Sequence, residues 1–170
     1  MALIADFIYF KWATDLFLAT GGITDSAFAI GFGDIVTMLM TLDPQIGKGL
    51  VHTQTDRYIR DLKIPMHYPE DRGSAYHESL IISSTMWDLL KELEAIYGQN
   101  KARDIVGHYA FQMIYKTRHY LGAYEALVAI NDELINDTNE IANNYCLINK
   151  VFARHGLASI DSKCSIAYDK

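Results

Sequence analysis

The chain has 170 residues, half of them apolar and 12% aromatic, which is enough to build one continuous core and excludes disorder as its global state. A formal net charge of −6, with 15 Lys and Arg scattered along the chain, excludes the basic stripe that a nucleic-acid partner requires. Asp6, Lys11 and Asp15 break the first apolar run, so no segment offers the roughly 20 apolar residues of a membrane span. No basic region precedes that run as a secretory signal would need, and the expectation is a soluble protein of open localisation.

Apolar residues at helical spacing predict a helix over about 3–19 and a second over about 25–42, separated by Gly21-Gly22, a natural helix stop. The only prolines, Pro44, Pro65 and Pro69, fall in the stretch that follows and predict an irregular central region. Beyond it, Leu80, Ile81, Met86, Leu89, Leu90 and Leu93 mark a long amphipathic helix over about 78–97, with Gly98 as its stop. Asn100 is placed to cap the next helix, running through Ile105, Val106, Tyr109 and Met113 towards His119. Two more helices are expected over about 124–135 and 139–155, the last ending at Gly156 with Arg154 and His155 in its final turn, where cations favour the helix dipole.

No alternating pattern is long enough to seed a sheet, and no internal repeat is present. The fold expected is all-α, an orthogonal bundle of about six or seven helices: one domain over 1–158, with a tail over 159–170 that packs back or frays. Gly31 and Gly33 inside a helix each cost about 1 kcal/mol relative to alanine, which points to a close backbone approach there. Cys146 and Cys164 lack metal-type spacing and read most simply as two ordinary thiols, with a single bridge left open. The remaining histidines, at 52, 67, 108, 119 and 155, form no helix-face pair. Ser79, Ser83 and Ser84 lie near His77 in sequence, yet serines along a helix lack the sharp turn of a nucleophile elbow.

Three segments carry a more specific pattern: residues 21–34, ending Ile30-Gly31-Phe32-Gly33-Asp34; residues 76–89, from Tyr76-His77-Glu78-Ser79 to Met86-Trp87-Asp88-Leu89; and Val151-Phe152-Ala153-Arg154-His155-Gly156-Leu157. In this order they resemble the C-terminal helical subdomain of the thermolysin- and fungalysin-like zinc peptidases. That resemblance implies a helix with H-E-x-x-H, two histidines one turn apart holding Zn²⁺ and a glutamate acting as general base, with a third ligand from the next helix. The best match to the zinc helix is Phe10-Lys11-Trp12-Ala13-Thr14-Asp15.

On that alignment Phe10 and Thr14 occupy the histidine positions, Lys11 the general-base position and Ile30 the third-ligand position. Phenylalanine and isoleucine cannot donate to a metal, threonine is a poor zinc ligand, and lysine brings a positive charge to the cation's place. No zinc and no other cofactor is therefore expected. Asp34 matches the carboxylate that orients a zinc histidine in the family and is free to pair with Lys11 instead. Counting back from Trp87, the family's transition-state histidine falls on Tyr76, with His77 beside it. The family also has a β-rich N-terminal subdomain forming the other cleft wall, and this chain begins at the zinc-helix equivalent, so half of the substrate site is expected to be missing.

The reading that follows is a catalytically inactive relative, degenerate or deliberately rebuilt. Two alternatives stay open: an active zinc peptidase with a misaligned motif, and a module that binds a peptide or protein partner in the residual cleft. Core packing is the simpler role for Phe10, Thr14, Ile30, Trp12 and Trp87.

Overall fold

The computed structural model describes residues 25–48, 57–138 and 143–165. Among these residues the fold is mainly helical: α1 is Ser26–Thr41, α2 Ala75–Tyr97, α3 Gln99–Lys116, α4 Ala123–Thr138, α5 Tyr145–Arg154 and α6 Ser162–Ser165. A minimal antiparallel pair, β1 (Gln45–Ile46) and β2 (Arg60–Asp61), joins the two sides of the proline-bearing region, with Gln45 opposite Asp61 and Ile46 opposite Arg60. None of the helices among the described residues is long and apolar enough to cross a membrane.

Local chemistry sets the helix ends. The Asp25 carboxylate accepts from the Phe28 amide at 3.1 Å and starts α1. Leu42 stops it in the left-handed region at φ 55°, its amide donating to Met38 O at 2.7 Å. Ser74 caps α2, so that helix begins three residues earlier than apolar periodicity alone predicts. Gly98, at φ 78°, turns the chain directly from α2 into α3. Asn100 therefore lies inside α3 and is not its cap, and α3 ends at Lys116, short of His119. His119 instead caps a 3₁₀ turn at Tyr120–Gly122 that leads into α4. α5 begins at Tyr145, later than its pattern suggested, and residues 139–142 lie outside the described segments.

One apolar cluster runs from Ala27 on α1 to Leu157 beyond α5. α1 is buried nearly all round and packs chiefly on α2, which also contacts α3 and α5. The closest approach is at Gly31, where an added Cβ would lie 2.5 Å from Ile82 Cγ2 and 2.9 Å from Ser79 O. Gly33 has open space where its Cβ would be, so the close approach expected at both glycines holds at Gly31 alone. Trp87 is buried on α2, as its place in the apolar stripe predicts.

The core also holds a polar network. Tyr109 Oη donates to Asn131 Oδ1 at 2.8 Å, Asn144 Nδ2 donates to Tyr109 Oη at 3.4 Å, and Tyr97 Oη donates to Asn144 Oδ1 at 3.0 Å. Every helix from α2 to α5 is tied into it, which fixes their mutual register because each misplaced group would be left buried and unsatisfied.

The reading of two free thiols is overturned. Cys146 on α5 and Cys164 on α6 form a disulfide with Cα atoms 5.1 Å apart. Sequence spacing carries no sign of this, because the two cysteines meet only after the chain turns back at Gly156. Asn149 reinforces the return by donating to Ser159 O at 2.9 Å and accepting from the Asp161 amide at 2.9 Å. The tail thus packs back as far as α6.

Candidate functional site

The three segments that carry the resemblance meet around α2. On one side, Asp34 of α1 and Arg60 of β2 form an ion pair, Oδ2 to Nη2 at 2.8 Å, with both side chains about nine-tenths buried. Arg60 Nη2 also donates to Ser79 Oγ, which itself donates to Tyr76 O at 2.9 Å. Burial pulls the Arg60 guanidinium below its ordinary value, and the Asp34 charge opposes that pull. Arg60 was not singled out from sequence, where nothing distinguishes it from other cations in the irregular region.

Ile30 lies one turn before Asp34 on α1 and is partly buried. Phe10, Lys11 and Thr14, and with them the Lys11–Asp34 pairing, lie outside the described residues. A zinc ion does not fit the donor set that is described: Ile30 has no donor atom, and Asp34 Oδ2 is engaged by a guanidinium. Tyr76 and His77 occupy the first turn of α2 with both side chains exposed, Tyr76 at 73%.

Around the N-termini of α1 and α2 lies a cleft of about 500 Å³, lined by Asp25, Tyr68, Arg72, Glu78, His119 and Tyr120 among others. Tyr120 Oη donates to Glu78, and Arg72 Nε lies 3.6 Å from the same carboxylate. The rings of Tyr68 and Tyr120 meet edge to face at 6.3 Å, and the Arg72 guanidinium stands 6.0 Å from the Tyr68 ring centroid. Burial, with the Glu78 hydrogen bond adding to it, pushes the Tyr120 phenol far above its ordinary value, so the hydroxyl stays a donor. The wall is polar and aromatic, suited to backbone amides and small polar groups more than to an apolar ligand.

On the far side, His155 is fully buried between Asp88 of α2, with Nε2 to Oδ2 at 3.0 Å, and Met66 O, with Nδ1 to O at 2.7 Å. Ser84 Oγ lies 3.5 Å from Nδ1. The residue types are those of a Ser-His-Asp triad, but the arrangement is not one. Nδ1 is committed to a carbonyl, Ser84 Oγ donates to Ile81 O at 3.3 Å, and Ser84 is only 1% exposed. From sequence His155 read as a cation at a helix end. Its real partners come from segments 67 and 89 residues away.

Comparison of the chain with protein-family models, with curated proteins and with solved structures finds no match.

Proposed function

We propose that this chain is a catalytically silent relative of the helical subdomain of thermolysin-like zinc peptidases, drifted or rebuilt so that residues which would hold zinc are exchanged for packing and ion-pairing ones. The observation that carries the reading is the buried Asp34–Arg60 pair. It gives the carboxylate a structural partner that needs no zinc-bound histidine, next to an apolar Ile30. The mutual packing of the three resembling segments, Gly31 on Ser79 and Ile82, and His155 on Asp88, is consistent with it.

The test is metal analysis of the purified protein together with a peptide-cleavage assay. Silence predicts no stoichiometric zinc and no chelator-sensitive turnover. Near-stoichiometric zinc with cleavage that a chelator abolishes would instead establish an active peptidase.

The cleft supports a second role, as a site for a peptide or protein partner without turnover. Tyr68, Tyr120 and Arg72 offer stacking and hydrogen-bonding surface for an extended chain. Peptide-array binding that weakens on Tyr68→Ala, with Tyr76→Ala as a probe of the adjoining helix end, supports this role. Binding indifferent to both refutes it.

A further inference from the structure

We propose that the cleft at the N-termini of α1 and α2 takes an arginine side chain of a partner peptide, and that Arg72 is a tethered stand-in for that ligand. The inference rests on the partner-binding role of the cleft and names the group recognised there. The cleft encloses about 500 Å³, within the range of small-ligand sites. Its own guanidinium shows what the walls accept. Arg72 stands 6.0 Å from the Tyr68 ring centroid, with Nε 3.6 Å from Glu78 Oε1. An aromatic face beside a carboxylate suits a guanidinium, whose planar fork of N–H groups can meet the carboxylate while its face lies near the ring.

Arg72 holds this place loosely, whereas Glu78 is built in. The Arg72 side chain is 61% exposed and its Nε is beyond hydrogen-bond reach of the carboxylate; exposed ion pairs of this kind contribute little. The Glu78 side chain is 16% exposed and accepts the Tyr120 hydroxyl at Oε1. Tyr120 is itself fixed, its amide donating to Asp25 Oδ2 at 3.1 Å and its ring meeting Tyr68. Among the described residues, Glu78 Oε2 makes no hydrogen bond or ion pair, so a partly buried carboxylate keeps one oxygen for a donor. Two helix N-termini would favour an anion, but the chain already supplies its own: Asp25 caps α1 and Glu78 lies in the first turn of α2. An acidic ligand would face both.

Binding is then an exchange of one guanidinium for another. The ligand takes the Glu78 carboxylate and the Tyr68 face, and Arg72 swings into the solvent that already surrounds most of it. Because Arg72 is covalently held beside the site, it competes at a high effective concentration. Its removal should therefore strengthen binding, the opposite of what removing a contact residue does.

The test titrates the full chain with a capped glycine pentapeptide bearing one central arginine, followed through the Tyr68 and Tyr120 ring signals in NMR spectra. The same peptide with citrulline, which keeps the shape and loses the charge, and with lysine serves as comparison. Arg72→Ala should bind the arginine peptide more tightly, by as much as roughly fivefold, the factor equivalent to the most that an exposed ion pair usually contributes. Glu78→Gln, which keeps an acceptor for Tyr120, should weaken binding by roughly tenfold or more, and citrulline should do the same in the parent. Arg72→Ala binding no tighter than the parent, or a citrulline or lysine peptide held as well as the arginine one, would overturn the proposal and leave the broader role of the cleft standing. Ring signals that none of these peptides shifts would overturn it too, and the peptide array under Tyr68→Ala then decides separately whether the cleft binds any partner.

Discussion

Two glycines of α1, two positions apart, should respond to alanine in opposite directions. In a helix interior, alanine is favoured over glycine by about 1 kcal/mol. At Gly33 nothing lies within 4 Å of the added Cβ, so Gly33→Ala should stabilise by up to about 1 kcal/mol. At Gly31 the Cβ would lie 2.5 Å from Ile82 Cγ2 and 2.9 Å from Ser79 O, whereas carbon atoms pack at about 3.5–4.0 Å. α1 and α2 would have to separate by roughly 1 Å.

Neither neighbour gives way cheaply. Ile82 is fully buried, and the Ser79 carbonyl is backbone that also accepts from Ser83 Oγ at 3.0 Å. Overpacking of this kind costs about 1–3 kcal/mol. After the propensity gain, Gly31→Ala should lose up to about 2 kcal/mol, lowering Tm by up to roughly 8 °C for a chain of this size. Urea and thermal unfolding of the two single variants measure both signs. A Gly31→Ala protein stabilised as much as Gly33→Ala would refute the close packing of α1 on α2.

Reduction of the Cys146–Cys164 bridge, or Cys164→Ser, should lower unfolding stability by about 3 kcal/mol, the chain-entropy value for a loop of this length; an unchanged urea midpoint under reductant contradicts the bridge. Burial pushes the Tyr109 phenol from 10.0 to about 12, so between these values the native state keeps a proton that the unfolded chain has lost. Stability from this group is complete below the lower value and lost as pH rises through the upper one; Tyr109→Phe should remove that decline, as phenolate absorbance and pH-dependent unfolding will report. The same variant should cost about 1–3 kcal/mol at neutral pH by leaving Asn131 Oδ1 without its donor. Arg60→Met should cost about 3–5 kcal/mol by removing the guanidinium from the buried Asp34 charge, and the double change Arg60→Met with Asp34→Leu should recover part of it.

What sequence revealed and what it concealed divide along physical lines. Helix bodies were legible because an apolar stripe repeats within a few residues, and the stops at Gly98 and Gly156 were legible because both need positive φ. The start of α2 was less so, since Ser74 acts through a single side-chain bond that leaves no periodic trace. Partners distant in sequence were hidden altogether. Arg60 finds Asp34 across 26 residues only after β1 and β2 pair. His155, Asp88 and Met66 converge only once α5 is laid on α2. Asp34 and Ile30 were singled out through a resemblance, and the burial of Asp34 does not depend on that resemblance being right.

The central claim, a zinc site replaced position by position, is tested most directly by rebuilding it. The variant Phe10→His, Lys11→Glu, Thr14→His and Ile30→Glu restores the H-E-x-x-H spacing in sequence, with a general base and a third ligand at the aligned positions. Thermal midpoints of parent and variant would be measured with zinc and with chelator. The account predicts a parent indifferent to both, and a variant whose midpoint rises by roughly 5–11 °C with zinc at about a hundred times its dissociation constant, equivalent to about 2.7 kcal/mol of binding to the folded state. A folded variant with no zinc-dependent shift would mean that the four positions do not converge, and a parent stabilised by zinc would mean that the site was never lost.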